Sequence, residues 1–337
     1  METFGQIDGK YFEEKIFCIG SHDGEDFDRI ALELNEFQRM NNPVYRRYLQ
    51  YLGRDRRAAS MEDIVYMPVG FFKDYEIKTT DFVENVVFTS SGTTGKSTSR
   101  HFVKDVELYY KNLLKCFEQF YGAPSGYTVL ALLPAYLERT GSSLVTMAEK
   151  LIESSGKDGG FYLYDFEALS QRLRSLLGNG EKVLLIGVTF ALLDFAERYA
   201  GDYGDGLMVM ETGGMKGRRK ELVRDEVHEI LCGRLNISAV HSEYGMTEML
   251  SQAYSDGHGI YRPSATMRVI VREQNDPFKY VPDGAAGGIN VVDLANIYSC
   301  AFLEIGDIGV RYADGSFKVL GRFDDASVRG CNLLYTA

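Results

Sequence analysis

Between residues 127 and 241 the chain alternates short apolar runs with segments whose apolar residues recur at helical spacing. Residues 127–133, 161–164, 182–187, 207–210 and 237–241 read as strands. A segment beginning at Ser142 or Ser143, and residues 166–177, 190–199 and 220–231, read as helices. Strands alternating with helices predict a parallel or mixed sheet with helices on its faces, an α/β fold. From about residue 260 the pattern shortens to runs at 267–271, 288–292, 308–312 and 316–320, separated by Gly and Asp turns, which predicts a smaller β-rich subdomain.

Ahead of the alternating region the chain reads as mostly helical to about residue 60. Phe27, Ile30, Ala31, Leu34 and Phe37 follow a period near 3.6, with Asp26 or Asp28 as a cap. Asn41-Asn42-Pro43 should break that helix, a second should run over 45–52, and 67–73 reads as an extended apolar connector. The expected division is a helical region over 1–85 packed on the core, an α/β core over 86–260, and a β-rich subdomain with a short C-terminal arm over 261–337.

The composition, 45% hydrophobic and 25% charged, is that of a globular protein. A net charge of −11 argues against wholesale binding to nucleic acid or to an anionic membrane. The longest apolar stretch, 183–195, is too short to span a bilayer, and no signal-peptide profile opens the chain. Five scattered cysteines without a C-x-x-C pair argue against a disulfide framework or zinc site and for a reducing, cytoplasmic setting. Cys18, Cys116, Cys232 and Cys300 are expected to be buried small residues.

One loop has a specific chemical use. After the apolar run Val86-Val87-Phe88, residues Ser90, Ser91, Gly92, Thr93, Thr94, Gly95 and Lys96 gather hydroxyls, two glycines and a cation. Glycines admit close backbone approach, while hydroxyls, amides and a lysine bind anionic oxygens. The expected guest is a polyphosphate; the bland alternative is a polar turn. Ser90 stands where a P-loop needs glycine, and an extended stretch rather than a helix follows Lys96, so a kinase or ATPase P-loop is disfavoured.

Ligands of α/β sheets gather beyond the carboxyl ends of strands. Two further segments sit at such places. Met210-Glu-Thr-Gly213-Gly214 can let a flat ring lie against the backbone. Glu243-Tyr244-Gly245-Met-Thr247-Glu248 offers an aromatic ring, a hydroxyl and a carboxylate suited to Mg²⁺. Later, Gly306-Asp307 offers a carboxylate for ribose hydroxyls and Gly321-Arg322-Phe-Asp324 an arginine. Singly, each has a structural reading: a core tyrosine, a helix-start carboxylate, a turn aspartate.

Their order resembles the adenylate-forming superfamily of acyl- and aryl-CoA ligases, luciferases and peptide-synthetase adenylation domains. The S-S-G-T-T-G-K loop, Y-G-x-T-E, G-D and G-R-x-D motifs match Ser90–Lys96, Tyr244–Glu248, Gly306-Asp307 and Gly321–Asp324. Within it the chain looks most like the LuxE acyl-protein synthetases. That likeness rests on Met67-Pro-Val-Gly-Phe-Phe-Lys73, Tyr136-Leu-Glu-Arg-Thr-Gly-Ser-Ser143, Thr212-Gly-Gly-Met-Lys-Gly217 and Arg329-Gly-Cys331.

The resemblance implies the large N-terminal domain of the adenylate-forming fold, without the small mobile C-terminal domain and its lysine. It implies ATP and Mg²⁺ as requirements and a fatty or other carboxylic acid as substrate. A reductase or acyl-accepting protein is the implied partner. Lys96 with the Ser90, Ser91, Thr93 and Thr94 hydroxyls would hold the β- and γ-phosphates, and Thr247 the α-phosphate. Glu248 would carry Mg²⁺. Gly213, Gly214 and Tyr244 would frame the adenine, Asp307 the ribose, and Arg322 would lie near ribose or phosphate. Cys331 would accept the acyl group. An aryl- or acyl-CoA ligase, and a binding protein without turnover, are the rival expectations.

Overall fold

The structure, a computed structural model, describes residues 8–20, 24–90, 98–134, 141–213 and 222–323. In chain order the first elements are α1 (Gly9–Lys15), α2 (Gly24–Asn41), α3 (Pro43–Tyr51), β1 (Met67–Pro68), α4 (Phe71–Asp74), β2 (Val86–Thr89) and β3 (Arg100–Val103). The alternating region supplies α5 (Val106–Tyr121), β4 (Thr128–Leu132), α6 (Ser143–Ser155), β5 (Gly160–Phe161), α7 (Phe166–Gly178), β6 (Val183–Gly187), α8 (Thr189–Arg198), β7 (Leu207–Glu211), α9 (Arg224–Leu235) and β8 (Val240–Tyr244). Then follow β9 (Ala253–Ser255), β10 (Ile260–Pro263), β11 (Met267–Arg272), β12 (Ala286–Asp293), β13 (Phe302–Arg311) and β14 (Phe317–Arg322). The contacts divide the described residues into two units. One takes those within 1–86, 92–105 and 262–337, the other those within 87–91 and 106–261.

The second unit is built on a sheet of order β9-β8-β7-β6-β4-β5, parallel throughout except for the antiparallel β8–β9 edge pair. Parallel strands covered on both faces read as continuous apolar runs, and every residue of β4 and β6 is buried. Removing Val183, Leu184, Leu185 and Ile186 from water stabilises the fold by roughly 1.5–3 kcal/mol apiece. Ser142 caps α6, its side chain accepting from the Val145 amide at 3.4 Å, and Asp165 caps α7 through the Ala168 amide at 3.0 Å.

The first unit joins the N-terminal helices to the antiparallel sheet β11-β12-β13-β14, with β1 added in parallel to β13. The predicted apolar stripe of α2 is buried. Asn42 stops that helix and caps α3, accepting from the Tyr45 amide at 2.9 Å, while its own amide group donates to Ser299 O at 3.0 Å. Gln38, fully buried, donates to Asn296 O and Ile297 O and accepts from the Ala301 amide at 2.9 Å. Within the sheet the buried Arg272 guanidinium donates to Ile289 O, Asn290 Oδ1 and Ile305 O and pairs with Glu304 at 3.3 Å. Gly288 leaves it room, since a Cβ there would strike the guanidinium.

Local departures from the sequence reading have local causes. The helix expected to be capped by Asp26 or Asp28 already begins at Gly24, so both lie inside it; Asp26 pairs with Arg29 at 2.6 Å and Asp28 with Arg268. The second half of the 67–73 connector is the helical turn α4. Strand β5 is two residues long, and α9 begins at Arg224, four residues later than expected, where the Glu226 carboxylate accepts from the Val223 amide at 3.1 Å. Among the described residues no helix is long and apolar enough to cross a membrane.

Candidate functional site

Three neighbouring parallel strands of the second unit end together. Gly187 at the end of β6 is in register with Glu211 at the end of β7, which is in register with Ser242 on β8. The Thr212 amide donates to Gly187 O at 3.0 Å, and Gly213 then turns at φ +70°, the left-handed region glycine occupies without strain. Among the described residues nothing lies within 4 Å of a Cβ placed on Gly213, so the positive φ is the observed reason for its glycine.

Beneath that turn lies a buried carboxylate network. Glu211, 5% exposed, accepts from the Thr189 hydroxyl at the start of α8, from the Gly213 amide at 3.0 Å and from Ser242 Oγ at 3.4 Å. Ser242 Oγ also lies 3.4 Å from His228 Nε2 of α9. Burial holds His228 below the usual imidazole range, against the pull of the Glu211 charge. Next along β8, Glu243 is pushed up to about 8, first by burial and then by the charge on Glu211, so at neutral pH it carries a proton. Gly245 is exposed and a Cβ on it would collide with the Glu243 carboxylate. A side chain at the glycine of the Y-G-x-T-E motif would therefore require the Glu243 carboxylate to move.

Tyr244 is half-buried at the end of β8, its ring centroid 5.5 Å from that of Tyr261. Thr247 is half-buried and Glu248 is 5% exposed, both in the turn closed by the Met249 amide on Met246 O at 3.0 Å. Ser90 follows β2, which the Thr89 amide ties to Gly141 O at 2.7 Å; Gly141 has φ +83°, and a Cβ there would press on Val87 O at 2.6 Å. So the entry to the proposed phosphate loop is held against the residue before the Ser142 cap.

In the first unit Asp307 of β13 and Arg322 of β14 are register partners. They form an ion pair of 3.3 Å in which the arginine side chain is 56% exposed and the aspartate 12%. Asp307 of the G-D motif and Arg322 of the G-R-x-D motif, fifteen residues apart in sequence, thus meet across one hairpin, while Asp324 lies outside the described residues. An ion pair this exposed contributes little, so Asp307→Asn is expected to shift stability by less than about 1 kcal/mol in urea titration. Ser91, Gly92, Thr93, Thr94, Gly95, Lys96, Gly214 and Cys331 lie outside the described residues.

Residues 161–336 match the family model of the acyl-protein synthetases, LuxE. The chain belongs to the LuxE acyl-protein synthetase family. A long-chain-fatty-acid–luciferin-component ligase of Vibrio harveyi is 23% identical over 339 residues, covering 90% of this chain and 86% of that protein. Among solved structures, 2-hydroxyisobutyryl-CoA ligase in a postadenylation state is similar with a TM-score of 0.62 at 14% identity, over 91% of this chain and 69% of that one. ATP-bound MatB from Rhodopseudomonas palustris follows at 0.52 and 17%, over 72% and 50%. The chain spans about half the length of MatB. These likenesses establish a mixed α/β fold shared with the large domains of adenylate-forming enzymes.

Among the described residues the buried Thr212 Oγ has no hydrogen-bond partner, and it stands beside the Gly213 turn. A buried hydroxyl without a partner among the described residues is a group that a nucleotide base or sugar could satisfy. For Mg²⁺, no group of three or more His, Cys, Asp or Glu side chains gathers among the described residues. A magnesium site completed by phosphate oxygens needs only one or two carboxylates, and Glu248 offers one.

The cysteines differ from expectation in part. Cys116 and Cys300 are buried, and burial pushes the Cys300 thiol up to about 12; Cys232 is half-buried with its thiol also raised by burial. Cys18, expected inside, is exposed. The sequence places Glu211 in a candidate segment but assigns it no role, although a charged residue closing the apolar run Leu207–Met210 was a signal of a special environment.

Proposed function

We propose that this LuxE-family chain activates a fatty acid with ATP and passes the acyl group to Cys331. The acid's carboxylate attacks the α-phosphorus, the bond to the bridging oxygen breaks, and pyrophosphate leaves. The Cys331 thiolate then attacks the carbonyl of the acyl adenylate and AMP leaves, giving a thioester. The observation that carries the reading is the family match over residues 161–336; the meeting of the Gly213 and Tyr244 strand ends supports it.

Phosphoryl transfer of this kind depends on positioning and charge neutralisation more than on covalent help. Lys96 and the Ser90, Ser91, Thr93 and Thr94 hydroxyls are assigned to the β- and γ-phosphates, with Gly92 and Gly95 permitting close approach. Thr247 is assigned to the α-phosphate. Gly213, Gly214 and Tyr244, with Gly245 beside it, are assigned to the adenine, Asp307 to the ribose, and Arg322 to ribose or phosphate. Glu248 would hold Mg²⁺, which when bound neutralises phosphate charge.

ATP–pyrophosphate exchange with Mg²⁺ and a panel of fatty and aryl acids tests adenylation. Exchange dependent on long-chain acids is the expected result; no exchange with any acid, despite ATP binding, would overturn the reading. Radiolabelled acid should then attach to the chain and be lost in Cys331→Ser but not in Cys18→Ser. Acylation that survives Cys331→Ser and needs CoA would replace the cysteine by CoA as acceptor.

A further inference from the structure

We infer that Glu211 is a positioning residue of the nucleotide site, fixing the Gly213 turn and the Tyr244 strand end in one register; the inference rests on the nucleotide-binding reading above. A carboxylate 5% exposed is costly to bury unless its lone pairs are satisfied. Among the described residues no lysine or arginine pairs with Glu211; its partners are two hydroxyls and one amide.

Those partners come from three different strand ends. Thr189 follows β6, Gly213 follows β7, and Ser242 belongs to β8, two residues before Tyr244. One oxygen holds both Thr189 and the Gly213 amide, and the other receives Ser242, whose own oxygen is left to accept from His228. The Gly213 turn and the β8 strand that leads into Tyr244 are therefore tied to opposite oxygens of a single carboxylate, through the Gly213 amide and Ser242. With that carboxylate removed, the Gly213 amide loses its partner and the turn is free to leave its φ of +70°.

Calorimetric titration of the full chain with ATP tests this, alongside exchange kinetics. Glu211→Ala is expected to raise the ATP dissociation constant roughly tenfold or more, the scale of a lost charge-assisted hydrogen bond. The KM for ATP should rise in step while the KM for the acid stays put. Glu211→Gln keeps an acceptor for Gly213 and should bind within about threefold of wild type. Should Glu211→Ala fail to fold, Thr189→Val retains the carboxylate but removes one of the two donors on the oxygen that holds Gly213, and should weaken ATP by roughly threefold. Unchanged ATP affinity in the alanine and valine variants, an equal rise in both KM values, or no rescue by glutamine would overturn the inference. A wild-type chain that binds no ATP would instead overturn the nucleotide reading, and this inference with it.

Discussion

Glu243→Gln is expected to stabilise the protein by about 3 kcal/mol at pH 9 and by less than about 1 kcal/mol at pH 5. The native carboxyl titrates near 8 against an ordinary 4.5, because burial and the Glu211 charge disfavour its anion. An acid whose native value is raised binds its proton more tightly when folded. Stability from this group is therefore fully present below about 4.5 and is lost as pH rises toward 8, after which the penalty is constant. The full interval corresponds to almost 5 kcal/mol at about 1.4 kcal/mol per unit, and the partial solvent access of Glu243 reduces it. Glutamine keeps the shape and cannot ionise. Urea midpoints of both proteins across pH 5–9 give the measurement, and two curves that run parallel would show that Glu243 titrates normally.

Lys96→Ala is expected to lower acid-dependent pyrophosphate exchange by roughly 10²–10³-fold, the range found when one preorganised charge contact to a transition state is deleted. Melting temperature should be unaffected, because the role assigned to the lysine is binding phosphate. Lys96→Arg should recover part of the rate, since the charge returns in a different shape. Exchange retained within tenfold in the alanine variant would place the departing pyrophosphate on other residues.

How much of this was legible in the chain differs by residue. The α2 stripe and the Asn41-Asn42-Pro43 break were readable because each is a local pattern with a local cause, and both appear where expected. The start of α9 was not. Leu222 and Val223 look like the beginning of an apolar face, yet Val223 is 62% exposed and the helix waits for the acidic turn at Asp225-Glu226. Strand β13 was visible only from residue 308, because Glu304 and Asp307 interrupt its first half with charge that Arg272 on β11 and Arg322 on β14 answer. At the site, motifs announce residues that touch a ligand. Glu211 and Glu243 acquire their roles from the register of β7 against β8, which no short stretch of sequence states.

The three hydrogen bonds of Gln38 bear on how the protein is made. Its partners lie some 260 residues further along the chain. At a synthesis rate of about 5–20 residues per second, a buried amide on α2 waits tens of seconds on the ribosome before Ala301 exists to receive it. Residues 106–261 can form their own sheet during that interval. The N-terminal helices, first to emerge, are thus among the last segments to reach their native partners. A truncation before β13 would strand them with exposed apolar faces rather than yield a free-standing helical domain.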